Sequence, residues 1–373
     1  MRLITNKIDE HSKFVERSYQ LRTTSYQLII LVLLAIAIGS CYSIESDCVD
    51  GSGEIPIDPG PLPPIDSVPL PGNGFWEYTS GPPSSAELIA VASNGDLWAG
   101  AYNSTTKLSA IYLSTDNGDT WVQKAATFRL LILSLVINPI NGYIFVRTPA
   151  TLYGELFRST DNGENWEKVA FPRFITGVFI IPSGEIYIGT FSGVYYSNDN
   201  GDTWINKSNG LSNQTIFSLA LGKDATLYVG TSSDGVYRST NGGDIWLPSS
   251  NYTDISINDI TVSDDGSIFV ATDGAGVLKS TDRGVTWSQV NNGLNFDVYT
   301  RFSGIIYNPI TRDIFVITWN FAIYRSTDLG ESWELKNSGL PNGRDINALA
   351  FNPNTGQMYA ATGGGVYRSR GRK

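Results

Sequence analysis

Between residues 74 and 369 the apolar positions come in short runs that alternate or fill a few consecutive residues, each cut off by Gly, Ser, Asn or Asp. Residues 176–204 show the unit. An alternating run, Gly177 to Ile181, meets a turn at Ser183-Gly184; Ile186-Tyr187-Ile188-Gly189-Thr190 follows, then a glycine-bearing loop, Val194-Tyr195-Tyr196, and a polar phrase ending in Trp204. Runs this short, with this punctuation, predict three strands and a fourth that carries the tryptophan. Each unit is therefore a four-stranded antiparallel sheet.

The second strand returns as Leu97-Trp98-Ala99-Gly100, Ile144-Phe145-Val146, Leu227-Tyr228-Val229-Gly230, Ile268-Phe269-Val270, Ile314-Phe315-Val316 and Met358-Tyr359-Ala360. The third returns as Ile111-Tyr112, Leu156-Phe157, Val236-Tyr237, Val277-Leu278, Ile323-Tyr324 and Val366-Tyr367. With residues 186–196 there are seven of each. The polar phrase first reads Ser114-Thr-Asp116-Asn-Gly118-Asp-Thr120-Trp121 and recurs around Asp161, Asp199, Asn241, Asp282 and Asp328, its starts 45, 38, 42, 41 and 46 residues apart. That is the period of propeller blades or solenoid units. Asp in such a turn is expected to accept backbone N–H bonds a residue or two ahead, the glycine to take positive φ, and the tryptophan to fold back onto apolar neighbours.

The ends distinguish an open solenoid from a ring. The seventh unit stops after Val366-Tyr367-Arg368-Ser369, without a fourth strand, while Gly74-Phe75-Trp76-Glu77 near the other end matches the segment around Trp333-Glu334. Borrowing that strand closes the circle and removes exposed sheet edges. The fold expected is all-β: a seven-bladed β-propeller over residues 74–373, closed by its N-terminal strand joining the last blade.

Upstream, basic residues Arg2 to Arg22 precede an apolar run, Leu28 to Ile38, and then Gly39-Ser40-Cys41. This is the order of an export signal. The apolar core is shorter than the ~20 residues of a spanning helix, so an uncleaved anchor is the lesser expectation. Ile38-Gly39-Ser40-Cys41 resembles the lipobox of bacterial lipoproteins, which implies a signal peptide over residues 1–40 and lipidation at Cys41. Residues 41–73 then form a tether, acidic at Glu45, Asp47 and Asp50 and holding seven of the chain's 17 prolines, a composition that favours extended polyproline coil. Acidic residues in that place resemble surface-export signals of Bacteroidetes-type lipoproteins. The expected address is the bacterial cell envelope, outer membrane or cell surface, with the membrane touched only through the lipid.

Charge and scarce residues then narrow the chemistry. Residues 41–373 hold 21 basic and 33 acidic side chains, a net of −12, which makes nucleic acid a poor partner. The only histidine is His11 and the only cysteines are Cys41 and Cys48. Ser–His, Cys–His and zinc chemistry are thus excluded from the repeats, and no metal or cofactor is expected.

The phrase Ser-x-Asp-x-Gly-x-Thr-Trp resembles the Asp-box, or BNR repeat, of sortilin, sialidase, xyloglucanase and photosystem II assembly-factor propellers. The resemblance implies that Asp116, Asp161, Asp199, Asn241, Asp282 and Asp328 are structural, on outer hairpins away from the ligand face. Sialidases carry an Arg-Ile-Pro segment that is missing here, and xyloglucanases use a cleft between two propellers. Single seven-bladed assembly factors are the nearest architectural likeness.

Propeller ligands usually meet the loops between second and third strands and the links between blades. Those positions hold Tyr102, Phe191, Trp319, Phe128, Arg129, Arg173, Tyr299, Arg301 and Arg344. Arginines clustered on an acidic chain, with Phe191, Tyr299 and Trp319, are expected to line a rim for an anionic or carbohydrate ligand; the alternative is solvated arginines, each beside an acid. Glycoside cleavage needs two facing carboxyls, for which Asp234 and Asp273 are the candidates, both also at home in ordinary glycine turns. The expected function is a monomeric, non-enzymatic binding or assembly module for a glycan or envelope protein, with an Asp-box glycoside hydrolase of xyloglucanase or sialidase type as the alternative.

Overall fold

The computed structural model describes residues 74–370 except 83, 130, 150–153, 212–213, 250–253, 296–299, 320–321 and 343–344. The segments expected to be an export signal and a tether, with Cys41, and also Tyr299 and Arg344, lie outside the described residues. Within them stand seven four-stranded antiparallel sheets, numbered here as blades 1 (85–128), 2 (134–169), 3 (175–206), 4 (216–248), 5 (257–289), 6 (302–335) and 7 (346–369 with 76–78). The first strands of successive blades pack on one another, and that of blade 7 packs on that of blade 1, so the ring is closed.

The join is made as the sequence pattern predicts. Trp76–Tyr78 pairs antiparallel with Gly365–Ser369, Trp76 opposite Ser369 and Tyr78 opposite Tyr367. Trp76 is buried, and its Nε1 donates to the Lys336 carbonyl of blade 6 at 2.7 Å.

Burial grades from hub to rim for a geometric reason. A second strand is covered by the blades on either side, so Ile186–Thr190, Leu227–Thr231, Ile268–Thr272 and Met358–Thr362 are buried at every position. Strands covered on both faces read as continuous apolar runs. The fourth strands Ile205–Asn206, Leu247–Pro248, Ser288–Gln289 and Glu334–Leu335 are exposed throughout.

Each polar phrase forms the same backbone turn, with one correction to the expected bonding. Asp116 Oδ1 accepts the N–H of Thr120, four residues ahead, at 2.9 Å, and its Oδ2 accepts the Thr120 hydroxyl at 2.5 Å. Ser114 completes the knot, donating to Asp116 Oδ1 and accepting from Gly118 N–H, both at 2.8 Å. Gly118 has φ +91° and Asn117 φ +64°, so two successive residues turn left-handed where one was expected. Asn241 performs the same task, its Oδ1 accepting from Ser239 and from Ile245 N–H.

Six of the seven repeat tryptophans divide into two groups, and Trp204 joins neither, its buried Nε1 having no hydrogen-bond partner among the described residues. Trp76, Trp246, Trp287 and Trp333 are buried and donate to a carbonyl of the preceding blade, Lys336, Lys207, Ser249 and Val290 in turn. Trp121 and Trp166 donate to their own box glycine and stay half-buried. For three of the first group the preceding blade also supplies a glycine under the tryptophan backbone. A Cβ on Gly210, Gly293 or Gly339 would lie 2.1, 2.2 or 2.0 Å from the carbonyl oxygen of Trp246, Trp333 or Trp76.

Candidate functional site

Antiparallel order places the boxes, between third and fourth strands, on the same face as the turns between first and second strands. The structure joins them there: Asn141 of a blade 2 turn donates to Asn200 of the blade 3 box at 2.7 Å. The opposite face carries the second-to-third-strand loops and the links between blades.

Those loops are fixed by a residue type that the sequence reading noted only at Thr190. Every second strand from blade 2 to blade 7 ends in a buried threonine. Thr190, Thr231, Thr272 and Thr362 donate their hydroxyls to Gly193, Gly235, Gly276 and Gly365 carbonyls at 2.7–2.9 Å across the loop. The repeated threonine at the strand end was the available signal. Loops tied to a buried hydroxyl present their outer side chains from a fixed base.

Three of the expected site residues come together at the junction of blades 5 and 6. Arg301 forms a β-bridge with Asp273, its Nε lies 3.2 Å from Asp273 Oδ1, and its guanidinium carbon sits 5.2 Å from the centre of the Trp319 ring. The Trp319 N–H donates to the Arg301 carbonyl at 2.9 Å, and Asp273 N–H to Ser256 at 3.1 Å. The indole is thus clamped at its backbone and stacked by a cation while 62% exposed. A second aromatic station lies at blades 2 and 3, where Phe191, 51% exposed, stacks on Phe174 at 4.4 Å with planes 9° apart. Phe174 was not among the expected residues. Arg173 beside it is exposed, as is Arg129.

Two placements differ. Phe128, expected in a link, ends a long fourth strand, Val122–Phe128, and is buried against Phe157 and Trp166. Tyr102 lies within the second strand Leu97–Asn103. Of the two candidate acids, Asp273 is held by Arg301, whereas Asp234 accepts from the Tyr237 hydroxyl and, at 3.4 Å, from Gln214. Burial together with this carboxylate pushes the Tyr237 phenol up to about 12. The two acids are thus held by different partners. Among the described residues no group of three or more His, Cys, Asp or Glu could hold a metal ion.

At the hub, first-strand side chains clasp blade to blade, a feature the sequence did not announce. Glu87 accepts Ile132 N–H at 3.0 Å, Asn258 donates to Phe302 at 3.0 Å, and Asn347 donates to Ala86 at 2.8 Å across the ring closure. Asp259 accepts Ile305 N–H of blade 6 at 2.9 Å and its own neighbour's N–H at 2.8 Å, yet desolvation outweighs these bonds and raises its carboxyl to about 6.

Closed ring, seven blades and boxes on the outer hairpins define the class: an Asp-box, or BNR-type, β-propeller. The family model for the photosynthesis system II assembly factor YCF48 matches residues 105–369, and the chain belongs to that family. A solved structure described as YCF48 bound to D1 peptide superposes with a TM-score of 0.62 at 14% identity, covering 82% of this chain and 98% of that one. YCF48 from Cyanidioschyzon merolae gives 0.59 at 16%, covering 79% and 98%. The Niastella koreensis GH74 enzyme gives 0.60 at 17%, covering 79% of this chain and 53% of its own, so this chain spans about half of that enzyme. At these identities the likeness is one of fold. No curated protein sequence matches significantly.

Proposed function

We propose that this propeller is a non-enzymatic binding module that presents its loop face to a segment of a partner protein, with Trp319 and Arg301 as the anchor. The observation that carries the reading is the exposed indole immobilised by Arg301. Tryptophan and arginine dominate binding hot spots, and a side chain already held in place loses little freedom on docking. A YCF48 has been solved with a peptide bound, which supports a peptide-like ligand over a glycan. Export and lipidation at Cys41 complete the reading, placing the domain on the cell envelope; palmitate labelling should vanish in Cys41→Ser.

The anchor is tested by quantitative capture from envelope extracts. A protein retained by the parent should bind about tenfold more weakly to Trp319→Ala and to Arg301→Ala, the loss expected for hot-spot truncation. Equal retention by both variants would remove the anchor. Glycoside hydrolysis is the second reading, favoured by the fold likeness to GH74. It requires turnover of a polysaccharide by the parent and its loss in Asp234→Asn or Asp273→Asn.

A further inference from the structure

On the box face, five of the six blades that precede a box grip the next through an ion pair of one kind. A cation of the earlier blade reaches the acid that follows the box glycine: Lys124 to Glu164 at 2.6 Å, Arg158 to Asp202 at 2.8 Å, Lys207 to Asp244, Lys279 to Glu331 at 3.1 Å and Arg368 to Asp119 at 2.7 Å. The joint from blade 4 to blade 5 breaks the series. Arg238 holds the third-strand position of Arg158 and Arg368, and its Nη1 donates to the Arg283 carbonyl at 3.1 Å, as theirs do to Asn200 and Asn117. Those two arginines each clasp a second acid opposite them on the fourth strand, Glu167 and Glu77. Around Arg238 both acid positions are aliphatic: Val285 follows the box glycine and Leu247 stands opposite.

Beside this guanidinium lies a groove of about 440 Å³, lined by Asp224, Thr226, Arg238, Ile245, Leu247 and Arg283. Asp224 is engaged by Arg283 Nε at 3.3 Å. Among the described residues no carboxylate pairs with Arg238. Ile245 stands where other boxes carry Thr, Asn or Ser, and it, Leu247 and Val285 are 49%, 58% and 54% exposed.

We infer that this groove binds a carboxylate side chain flanked by aliphatic residues, supplied by an extended segment of another protein. The ligand's carboxylate takes the place that Asp202 and Asp119 fill at the sister joints, where each accepts one charge-assisted hydrogen bond from an arginine Nη1. Its aliphatic neighbours cover Ile245, Leu247 and Val285. The groove offers no aromatic ring to stack on a sugar, which sets a uronate-bearing glycan aside. The site lies on the face opposite Trp319 and is independent of it.

The test uses the full chain and a fluorescent peptide with a Leu-Asp-Leu-Glu-Val core in a Gly/Ser frame, against its Asn/Gln counterpart. The acidic peptide should bind at least about tenfold tighter than the amide one, the worth of one charge-assisted bond. Arg238→Met should lose about the same factor. Val285→Asp, which supplies the missing carboxylate from within the fold, should lose it too while melting at or above the parent temperature, so that lost binding is not lost structure. Trp319→Ala should bind like the parent, which separates this site from the loop face. Equal binding of the two peptides, binding of neither, unchanged binding by Val285→Asp, or a preference for an oligogalacturonate would each overturn the proposal.

Discussion

At the residue scale the box aspartates act as fasteners that their own hydrogen bonds hold in the charged form. Hydrogen bonds from Thr120, Thr203 and Thr286, hydroxyl and backbone alike, hold Asp116, Asp199 and Asp282 down at about 2. Such groups favour the folded state above the ordinary carboxylate range near 4 and lose that contribution as pH falls towards 2. Thermal melts between pH 4 and 2 should therefore fall steeply, and Asp282→Asn should make the fall shallower, as Asn241 already shows an amide can hold the turn. Asp259 has the opposite sign. Its carboxyl is raised to about 6 by burial, so the fold loses stability as pH climbs from about 4 through 6. Asp259→Asn should flatten the melting profile in that higher window and leave the acid limb unchanged; an unaltered slope between pH 4 and 6 would contradict the assignment.

At the scale of the element, what matters is the seat that one blade builds for the next blade's tryptophan. Gly339 has φ +95°, and a side chain there would meet the Trp76 carbonyl. Gly339→Ala should cost at least about 2 kcal/mol through strain and displacement, read as a lower denaturation midpoint, whereas Gly142→Ala, with open space around it, should cost only its left-handed backbone penalty. The strands themselves were legible because each face of a blade repeats one pattern of burial. Ring closure was legible too, since Trp76 stood apart from its unit at a matching position. The candidate site was legible only in part. Asp273, Arg301 and Trp319 were each picked out by their loops, but their mutual contact depends on how two blades meet, which no local pattern encodes. Phe128 was misplaced because blade 1 has a longer fourth strand than its sisters, carrying that ring back over Phe157 and Trp166.

For the whole molecule, the seven joints are not equivalent. Among the described residues, five carry the ion pair between a cation and the acid after the box glycine. The entry into blade 7 instead sets Arg325 and Lys336 over the Phe75 ring, with Arg325 also paired to buried Asp313 at 2.7 Å. The joint between blades 4 and 5 has neither arrangement. Repetition makes such an exception readable, because each sister joint is a control for the others. The same logic separates the two proposed surfaces: truncating Trp319 probes the loop face, and filling the place of Val285 probes the box face, with no residue shared.

The seventh sheet also imposes an order on synthesis. Glu77 and its partner Arg368 are 291 residues apart, so at ordinary translation rates the first ribbon waits roughly 15–60 s for the one it must lie against. Until then the nascent chain holds an unmatched indole, and six finished sheets form an arc with two bare flanks. Chaperone occupancy during translation should accordingly persist until the final ribbon has left the ribosome, and a variant lacking residues 74–78 should remain a chaperone client after release.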